Sequence, residues 1–194
     1  MRRRQLSGIL LTGGSSRRMG FDKAGLLVDG EACAERLARL LSALAAPVVE
    51  VGPGHTGLPA VLESPPGSGP LAAVAAGRSA LLLAGHDGPA LVLACDLPFV
   101  TKALLEVLAD HPGDASVVPT VGGVDQPLLA RWSARDLDAA AKHLATGERS
   151  LRRLPDRAAA TRLDEAGWGA VADGRAFADA DTPADLAALG LGPG

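Results

Sequence analysis

The sequence predicts an α/β fold: a Rossmann-like, mostly parallel, doubly wound sheet with helices on both faces, in a three-layer sandwich. Two observations support this prediction. Strand-length apolar segments alternate with segments of helical spacing over most of the 194 residues. Two of the apolar segments, residues 9–11 and 89–94, lack polar side chains, which is typical of parallel strands covered by helices on both faces.

In the first half of the chain, apolar runs and turn residues predict strands at 6–11, 48–51 and 60–63, an extended piece at 26–30, and helices at 32–45 and 71–84. Leu37, Leu40, Leu41 and Leu44 have the i, i+3, i+4, i+7 spacing of an apolar helical stripe. Pro70 suits the first turn of the second helix.

In the second half, the predicted strands are 89–94, 115–119, 126–131 and 158–163, with a hairpin turn at 121–125. Thr101 and Ser133 are predicted to cap helices, and residues 150–154 to form a helical turn. The last helix is predicted from Pro183 to Leu189. No repeat or linker divides the chain, so we expect a single domain over residues 1–194.

Composition excludes several classes of partner. The net charge is −3 and aromatic residues make up 3% of the chain, so a basic, aromatic nucleic-acid surface is not expected. No apolar stretch reaches the roughly 18 residues of a membrane span, and Met1–Arg4 is not followed by a secretory core. Cys33 and Cys95 are far apart and form no metal-binding pair, which favours a reducing cytoplasm.

The stretch after the first strand has the composition of a polyphosphate site. Gly13 and Gly14 allow the backbone to approach a ligand closely, and Arg17, Arg18 and Lys23 supply positive charge. We call residues 12–23 the glycine loop. It is not a P-loop, because Gly20 is not followed directly by lysine.

Two other glycine-rich segments carry weaker signals. Residues 52–57 match G-x-G-x-x-G as a string, but no helix is predicted to follow, so we interpret them as a loop between two strands. Residues 64–70 lead into a helix N-terminus, which attracts anions in some proteins and is a plain loop-to-helix joint in others.

Asp96 comes two residues after the end of the predicted strand 89–94. In open α/β sheets, ligands bind outside the carboxyl ends of the strands. A single carboxylate there suits Mg²⁺, which is usually held by one or two carboxylates together with phosphate oxygens and water. Because Thr101 already accounts for the next helix cap, we predict that Asp96 is a metal ligand.

Five motifs, in order, resemble those of the molybdenum cofactor guanylyltransferases and their MobA-like nucleotidyltransferase relatives. They are Leu11–Lys23, Gly69–Ala73 (G-P-L-A-A), Cys95–Phe99 (C-D-L-P-F), Gln126–Leu128 and Asp179–Leu186. Together they span nearly the whole chain. The family usually has Asn-x-Asn where this chain has Asp179 and Asp181, a departure that bears on the identity of the acceptor.

The resemblance implies the following roles. The nucleotide is expected at Leu11, Thr12, Gly13, Gly14, Arg17, Lys23, Gly52, Glu63 and Asp96. Lys23, Arg18 and Asp96 are the expected catalytic groups, with Mg²⁺ on Asp96. Asp179 and Asp181 are expected to face the acceptor.

The reaction that the resemblance implies is attack of an acceptor phosphate oxygen on the α-phosphate of a nucleoside triphosphate, with release of pyrophosphate. GTP with a molybdopterin acceptor is favoured. Alternatives are CTP with the same pterin, a sugar or polyol phosphate acceptor, and a nucleotide-binding regulator without catalysis. The motifs contain no histidine, so catalysis by positioning and charge neutralisation is expected.

Overall fold

The computed structural model describes residues 6–13, 26–154, 159–180 and 183–191. Its ten strands are β1 (Ser7–Leu11), β2 (Leu27–Val28), β3 (Glu31–Ala32), β4 (Val48–Val51), β5 (Ala60–Val61), β6 (Ala90–Ala94), β7 (Val117–Val121), β8 (Val124–Asp125), β9 (Leu129–Trp132) and β10 (Thr161–Leu163). Its α-helices are α1 (Cys33–Ser42), α2 (Pro70–Leu83), α3 (Lys102–Asp110), α4 (Ala134–Ala145), α5 (Glu165–Trp168) and α6 (Pro183–Leu189). Residues Leu151–Arg153 and Gly174–Phe177 form 3₁₀ turns.

The central sheet has the order β10-β7-β9-β6-β1-β4-β5, and β8 pairs with β7. β1, β4, β5 and β6 are parallel, whereas β9 runs antiparallel to both β6 and β7. The predicted return of the chain through a hairpin turn explains this antiparallel strand. The predicted α/β fold with a mostly parallel sheet is therefore confirmed.

Side chains of β1 alternate between two apolar layers, as the period of a strand requires. Leu10 packs with Leu37, Leu41 and other residues beside α1 and α3. Ile9 packs on the other face with residues of α2 and α4. α2 lies very close to the sheet, since a Cβ added to Gly77 would be 2.7 Å from Ile9 Cγ2. The three-layer arrangement is thus built around β1.

Both predicted helix caps are present. The Thr101 side chain accepts a hydrogen bond from Leu104 N, and the Ser133 side chain accepts one from Asp136 N. Residues 52–59 connect β4 to β5 without a helix, as predicted for the false dinucleotide motif; we call them the β4–β5 loop.

The two edges of the sheet have different neighbours. At the carboxyl edge, where the parallel strands end, Leu11 of β1 pairs with Val51 of β4 and Ala94 of β6. The chain goes from β1 to β4 on one side and later crosses to β6 on the other, so β1 and β6 flank a topological switch point. Ligands of open α/β sheets bind at such a point. The opposite edge is called the amino edge below.

Candidate active site at the carboxyl edge of the sheet

The glycine loop begins at the switch point, tied to both neighbouring strands. Cys95 N donates to Leu11 O at 3.0 Å. Thr12 N and Gly13 N both donate to Val51 O, at 3.0 and 3.1 Å. Leu11 and Thr12 are buried, while Gly13 is exposed. The first described residue of the loop with access to solvent is therefore Gly13.

Gly52 and Glu63 lie against the start of the glycine loop. A Cβ added to Gly52 would be 2.8 Å from Gly13 N, so a side chain at Gly52 would displace the loop. A Cβ added to Gly13 would point toward Glu63, 3.8 Å from its Oε2. The other Glu63 oxygen accepts a hydrogen bond from Gly67 N at 2.9 Å. The structure thus brings together Leu11, Thr12, Gly13, Gly52 and Glu63, whose nucleotide-binding roles stay predictions.

Sequence reasoning missed the residue that organises this corner, Glu50. It is fully buried in β4, and its carboxylate accepts hydrogen bonds from the Thr12 hydroxyl and from the β4–β5 loop. The loop donors are Gly54 N at 3.1 Å, His55 N at 2.8 Å, Thr56 N at 2.9 Å and Thr56 Oγ1 at 2.6 Å. The signal was present: a lone glutamate inside Val-Val-Glu-Val is a charge in a strand that is otherwise core.

The environment of Glu50 keeps its carboxyl ionised. Burial on its own raises the pKa of Glu50, but the hydrogen bonds from Thr12, Thr56 and the backbone of His55 and Thr56 outweigh burial, and the net pKa is lowered. Hydrogen bonds to a carboxylate favour its charged form. A negative charge is therefore favoured beside Thr12, and the described groups that hydrogen-bond to it are neutral hydroxyl and backbone donors.

Asp96 lies in the turn that follows β6 and is partly exposed. α1 supports this turn at several points. Arg36 donates to Pro98 O at 3.1 Å and to Val100 O at 2.9 Å, and Cys33 Sγ donates to Cys95 O at 3.2 Å. Because burial raises the pKa of Cys33 to about 12, this thiol stays protonated and serves as a donor.

The C-terminal segment reaches the same turn. Ala180 N donates to Asp96 O at 3.0 Å, which places the exposed residue Asp179 next to the Asp96 backbone. The Arg175 guanidinium lies 4.3 Å from the centroid of the Phe99 ring, a cation–π contact. Asp179, predicted from the last motif, is therefore close in space to the turn of the third motif, although more than 80 residues separate them in sequence.

Several predicted site residues lie outside the described residues: Gly14, Arg17, Arg18, Lys23 and Asp181. Their roles stay predictions from sequence.

Gln126, from the fourth motif, also lies at the carboxyl edge. Leu128 O, two residues further along the chain, accepts a hydrogen bond from Ala94 N at 3.0 Å, at the end of β6.

The donor set at Asp96 fits a magnesium ion that is shared with a phosphate ligand. Within the described ranges, no three His, Cys, Asp or Glu side chains are grouped as a metal cage would require. Mg²⁺ seldom uses such a cage and binds through one or two carboxylates plus substrate phosphates. Asp96, partly exposed at the carboxyl edge, can supply such a carboxylate.

Known protein families and curated proteins resemble this chain over most of its length. The family model of the MobA-like NTP transferase domain matches residues 8–162. The chain is 39% identical over 160 residues to a probable molybdenum cofactor guanylyltransferase of Chloroflexus aggregans, covering 76% of this chain and 74% of that protein. It is 34% identical over 190 residues to a protein of the same name from Mycobacterium tuberculosis, covering 93% and 91%.

Solved structures show the same fold. Molybdopterin-guanine dinucleotide biosynthesis protein A from Archaeoglobus fulgidus has a TM-score of 0.76 at 23% identity, covering 94% of this chain and 96% of that one. The 2-C-methyl-D-erythritol 4-phosphate cytidylyltransferase from Thermus thermophilus has a TM-score of 0.64 at 20% identity, covering 95% and 96%. By its match to the family model and its identity to curated relatives, the chain is a nucleotidyltransferase of the MobA-like NTP transferase family.

Proposed function

We propose that the protein transfers GMP from GTP to the phosphate of molybdopterin or its molybdenum-bound form, with release of pyrophosphate. The observation that carries this proposal is the identity of 34–39%, over most of the chain, to curated proteins named probable molybdenum cofactor guanylyltransferase. The described part of the site is compatible with it, because the first two residues of the glycine loop, Glu63, Asp96 and the segment before Asp181 lie at one edge of the sheet.

The proposed chemistry needs little from a general base. The second pKa of a phosphate monoester is about 6, so the acceptor phosphate is mostly a dianion at neutral pH. An oxygen of the acceptor phosphate attacks the α-phosphorus of the nucleotide. The bond between the α-phosphorus and the oxygen that bridges it to the β-phosphate breaks, and this oxygen leaves as part of the pyrophosphate. The protein contributes orientation and charge neutralisation.

The catalytic, metal-binding and acceptor-binding residues have distinct roles in this proposal. Lys23, with Arg17 and Arg18, balances the charge of the departing pyrophosphate, and the backbone at Gly13 and Gly14 lines the triphosphate. Asp96 would hold Mg²⁺, which supplies further charge neutralisation for the triphosphate when bound. Asp179 and Asp181 face the acceptor side.

We further propose that residues 1–194 act as one catalytic domain in the cytoplasm, without a nucleic-acid partner. Cys33 and Cys95 are both buried and are not joined in a disulfide, as expected in a reducing compartment. Among the described residues, none of the helices is both long and apolar enough to cross a membrane.

The test is pyrophosphate release with molybdopterin as acceptor, comparing GTP, CTP, ATP and UTP with and without Mg²⁺. We expect turnover with GTP and Mg²⁺, and a product that carries guanosine monophosphate by mass. Turnover with CTP in place of GTP would instead assign the cytidylyl reaction. Absence of turnover with every nucleotide, despite intact molybdopterin, would contradict the proposed function.

A further inference from the structure

We propose that Glu50 is a positioning residue for nucleotide binding, because its buried carboxylate joins the Thr12 hydroxyl of the glycine loop to the backbone of the β4–β5 loop. This inference rests on the proposed function, since it assumes that the glycine loop holds a nucleotide. Glu50 itself does not reach the ligand. It is fully buried, and the groups around it are its own hydrogen-bond partners.

The geometry requires a carboxylate and not merely a polar side chain. One oxygen accepts from Thr12 Oγ1, Gly54 N and His55 N, and the other accepts from Thr56 N and Thr56 Oγ1. Backbone N–H groups are donors only. An amide in place of the carboxylate would turn its NH₂ group toward Thr56 N or toward Gly54 N and His55 N, whichever way it rotates.

The same network bears on the site through two close contacts. Gly52, at the start of the β4–β5 loop, lies against Gly13, as described above. Gly52 N donates to Val61 O at 2.9 Å, and the chain continues from there to Glu63, which faces Gly13. Displacement of the β4–β5 loop should therefore move Gly13, which precedes the predicted phosphate-binding residues, and the Glu63 carboxylate beside it.

The first experiment compares wild type with Glu50→Gln. The dissociation constant for GTP in Mg²⁺ is measured by titration calorimetry, and steady-state kinetics give KM and kcat. Loss of hydrogen bonds to a charged group predicts a dissociation constant raised by about 10- to 100-fold. Because the carboxylate does not contact the reacting atoms, kcat should stay within about threefold of wild type.

Asp136→Asn is the matched control. Asp136 is also a buried carboxylate, and it accepts from Ser116 Oγ at 2.6 Å and Ser133 Oγ at 2.8 Å, at the amino edge. Both variants should melt at lower temperature than wild type. Only Glu50→Gln should weaken GTP binding.

Thr56 gives a milder variant that keeps the carboxylate. Thr56→Val removes one hydroxyl donor to Glu50 and the acceptor of Leu58 N at 3.2 Å, while Thr56→Ser retains both. We expect Thr56→Val to raise the dissociation constant about threefold and Thr56→Ser to restore it, since the net contribution of each of the two lost hydrogen bonds is modest. This pair carries the test if Glu50→Gln does not fold.

Amide hydrogen exchange gives a readout that needs no nucleotide. The N–H groups of His55 and Thr56 should both exchange slowly in wild type. In Glu50→Gln at least one of them should exchange fast, because the amide NH₂ replaces one of the two acceptor oxygens. Faster exchange with unchanged GTP affinity in both Glu50→Gln and Thr56→Val would make Glu50 purely structural and overturn the inference. Wild-type protein that binds no nucleotide would instead overturn the proposed function, which separates the two failures.

Discussion

Glu50 and Asp136 are both buried carboxylates that accept hydrogen bonds from side-chain hydroxyls, but they lie at opposite edges of the sheet. Glu50 also accepts from backbone N–H groups of an irregular loop, which adopts its shape around the carboxylate. Asp136 instead completes the start of α4, where Ser133 is the cap. At the carboxyl edge, the buried Glu50 carboxylate thus holds the β4–β5 loop beside the site. At the amino edge, the Asp136 side chain links α4 to the residues that flank β7 and β9.

The buried cations of the amino edge extend the same contrast. Arg131 is buried and donates to the carbonyls of Ala109, His111, Gly113 and Ala115, which closes the connection after α3. Arg78 donates to Gly88 O and Asp87 O, just before β6. Without these guanidinium groups, each carbonyl would lose a hydrogen-bond donor that links its segment to a buried side chain. We therefore expect substitutions at the amino edge to change stability and substitutions at the carboxyl edge to change activity.

The largest expected effect is on catalysis at the carboxyl edge. Asp96→Asn removes the carboxylate that we assign to Mg²⁺ and should lower kcat/KM by about 10²–10³-fold, by analogy with the loss of one transition-state stabilising group. The measurement is pyrophosphate release over a Mg²⁺ titration. Asp138→Asn, which removes the exposed partner of Arg78 at the amino edge, is the control and should retain activity. Near-normal, magnesium-dependent turnover of Asp96→Asn would remove Asp96 from the metal site.

The next effect is on stability at the amino edge. Arg131→Leu leaves the four carbonyls without their shared donor and should cost about 3 kcal/mol of unfolding free energy, or on the order of 6–12 °C in Tm. Thermal unfolding followed by circular dichroism measures the change. At a temperature where the variant is folded, kcat/KM for GTP should be close to wild type. A selective loss of GTP turnover without a change in Tm would break the contrast between the edges.

A smaller effect is expected where α1 supports the Asp96 turn. Arg36→Met keeps the aliphatic stem but removes the donors to Pro98 O and Val100 O, so the turn loses two anchors. We expect kcat to fall about tenfold, since small displacements of a catalytic group are costly, while GTP affinity changes little. Arg39→Met on the same helix removes only an exposed pair with Glu31 and serves as the control. Equal kinetics for the two variants would argue against a role of Arg36 in holding the turn.

Local pattern was enough to predict the central strands and the helix caps. β1 and β6 are apolar runs that end at polar or glycine residues, and Thr101 and Ser133 stand directly before apolar helical stripes. The start of β7 was wrong by two residues, at Ala115 instead of Val117. The two residues before β7 make contacts that no local pattern predicts: the Ala115 carbonyl accepts from Arg131, and the Ser116 hydroxyl donates to Asp136 and accepts from Ser133 N.

A site residue could be predicted when its position after a strand identified it. It could not be predicted when its contacts come from segments that are distant in sequence. Gly13 and Asp96 each come two residues after the end of an apolar strand, so the sheet itself places them at the carboxyl edge. Glu50 was missed because its partners come from the start of the glycine loop, far away in sequence, and from the irregular β4–β5 loop, and no local pattern predicts these contacts. The proximity of Asp179 to Asp96 likewise depends on the path of the C-terminal segment over the turn, a tertiary contact.

The smallest expected effect is the response of stability to acid. The folded-state pKa of Glu50 is below its ordinary value, so its carboxylate stabilises the fold at pH values above the unfolded-state pKa. That contribution is lost as pH falls through the lowered folded-state pKa. The difference in unfolding free energy between wild type and Glu50→Gln should therefore be constant from neutral pH to about pH 5.5 and shrink below about pH 4.

Urea unfolding of both proteins between pH 7 and pH 3 measures this difference, with the slope of the transition checked at each pH. A difference that grows on acidification would mean that the folded state raises the pKa of Glu50, which would require the loop donors to be absent in solution. A difference that shrinks, together with an unchanged pH response in Thr12→Ser, would indicate that the hydroxyl and backbone donors together keep the carboxylate charged. The pH dependence of the unfolding free energy then measures the hydrogen bonds to Glu50, including the backbone N–H donors that distinguish its surroundings from those described for Asp136.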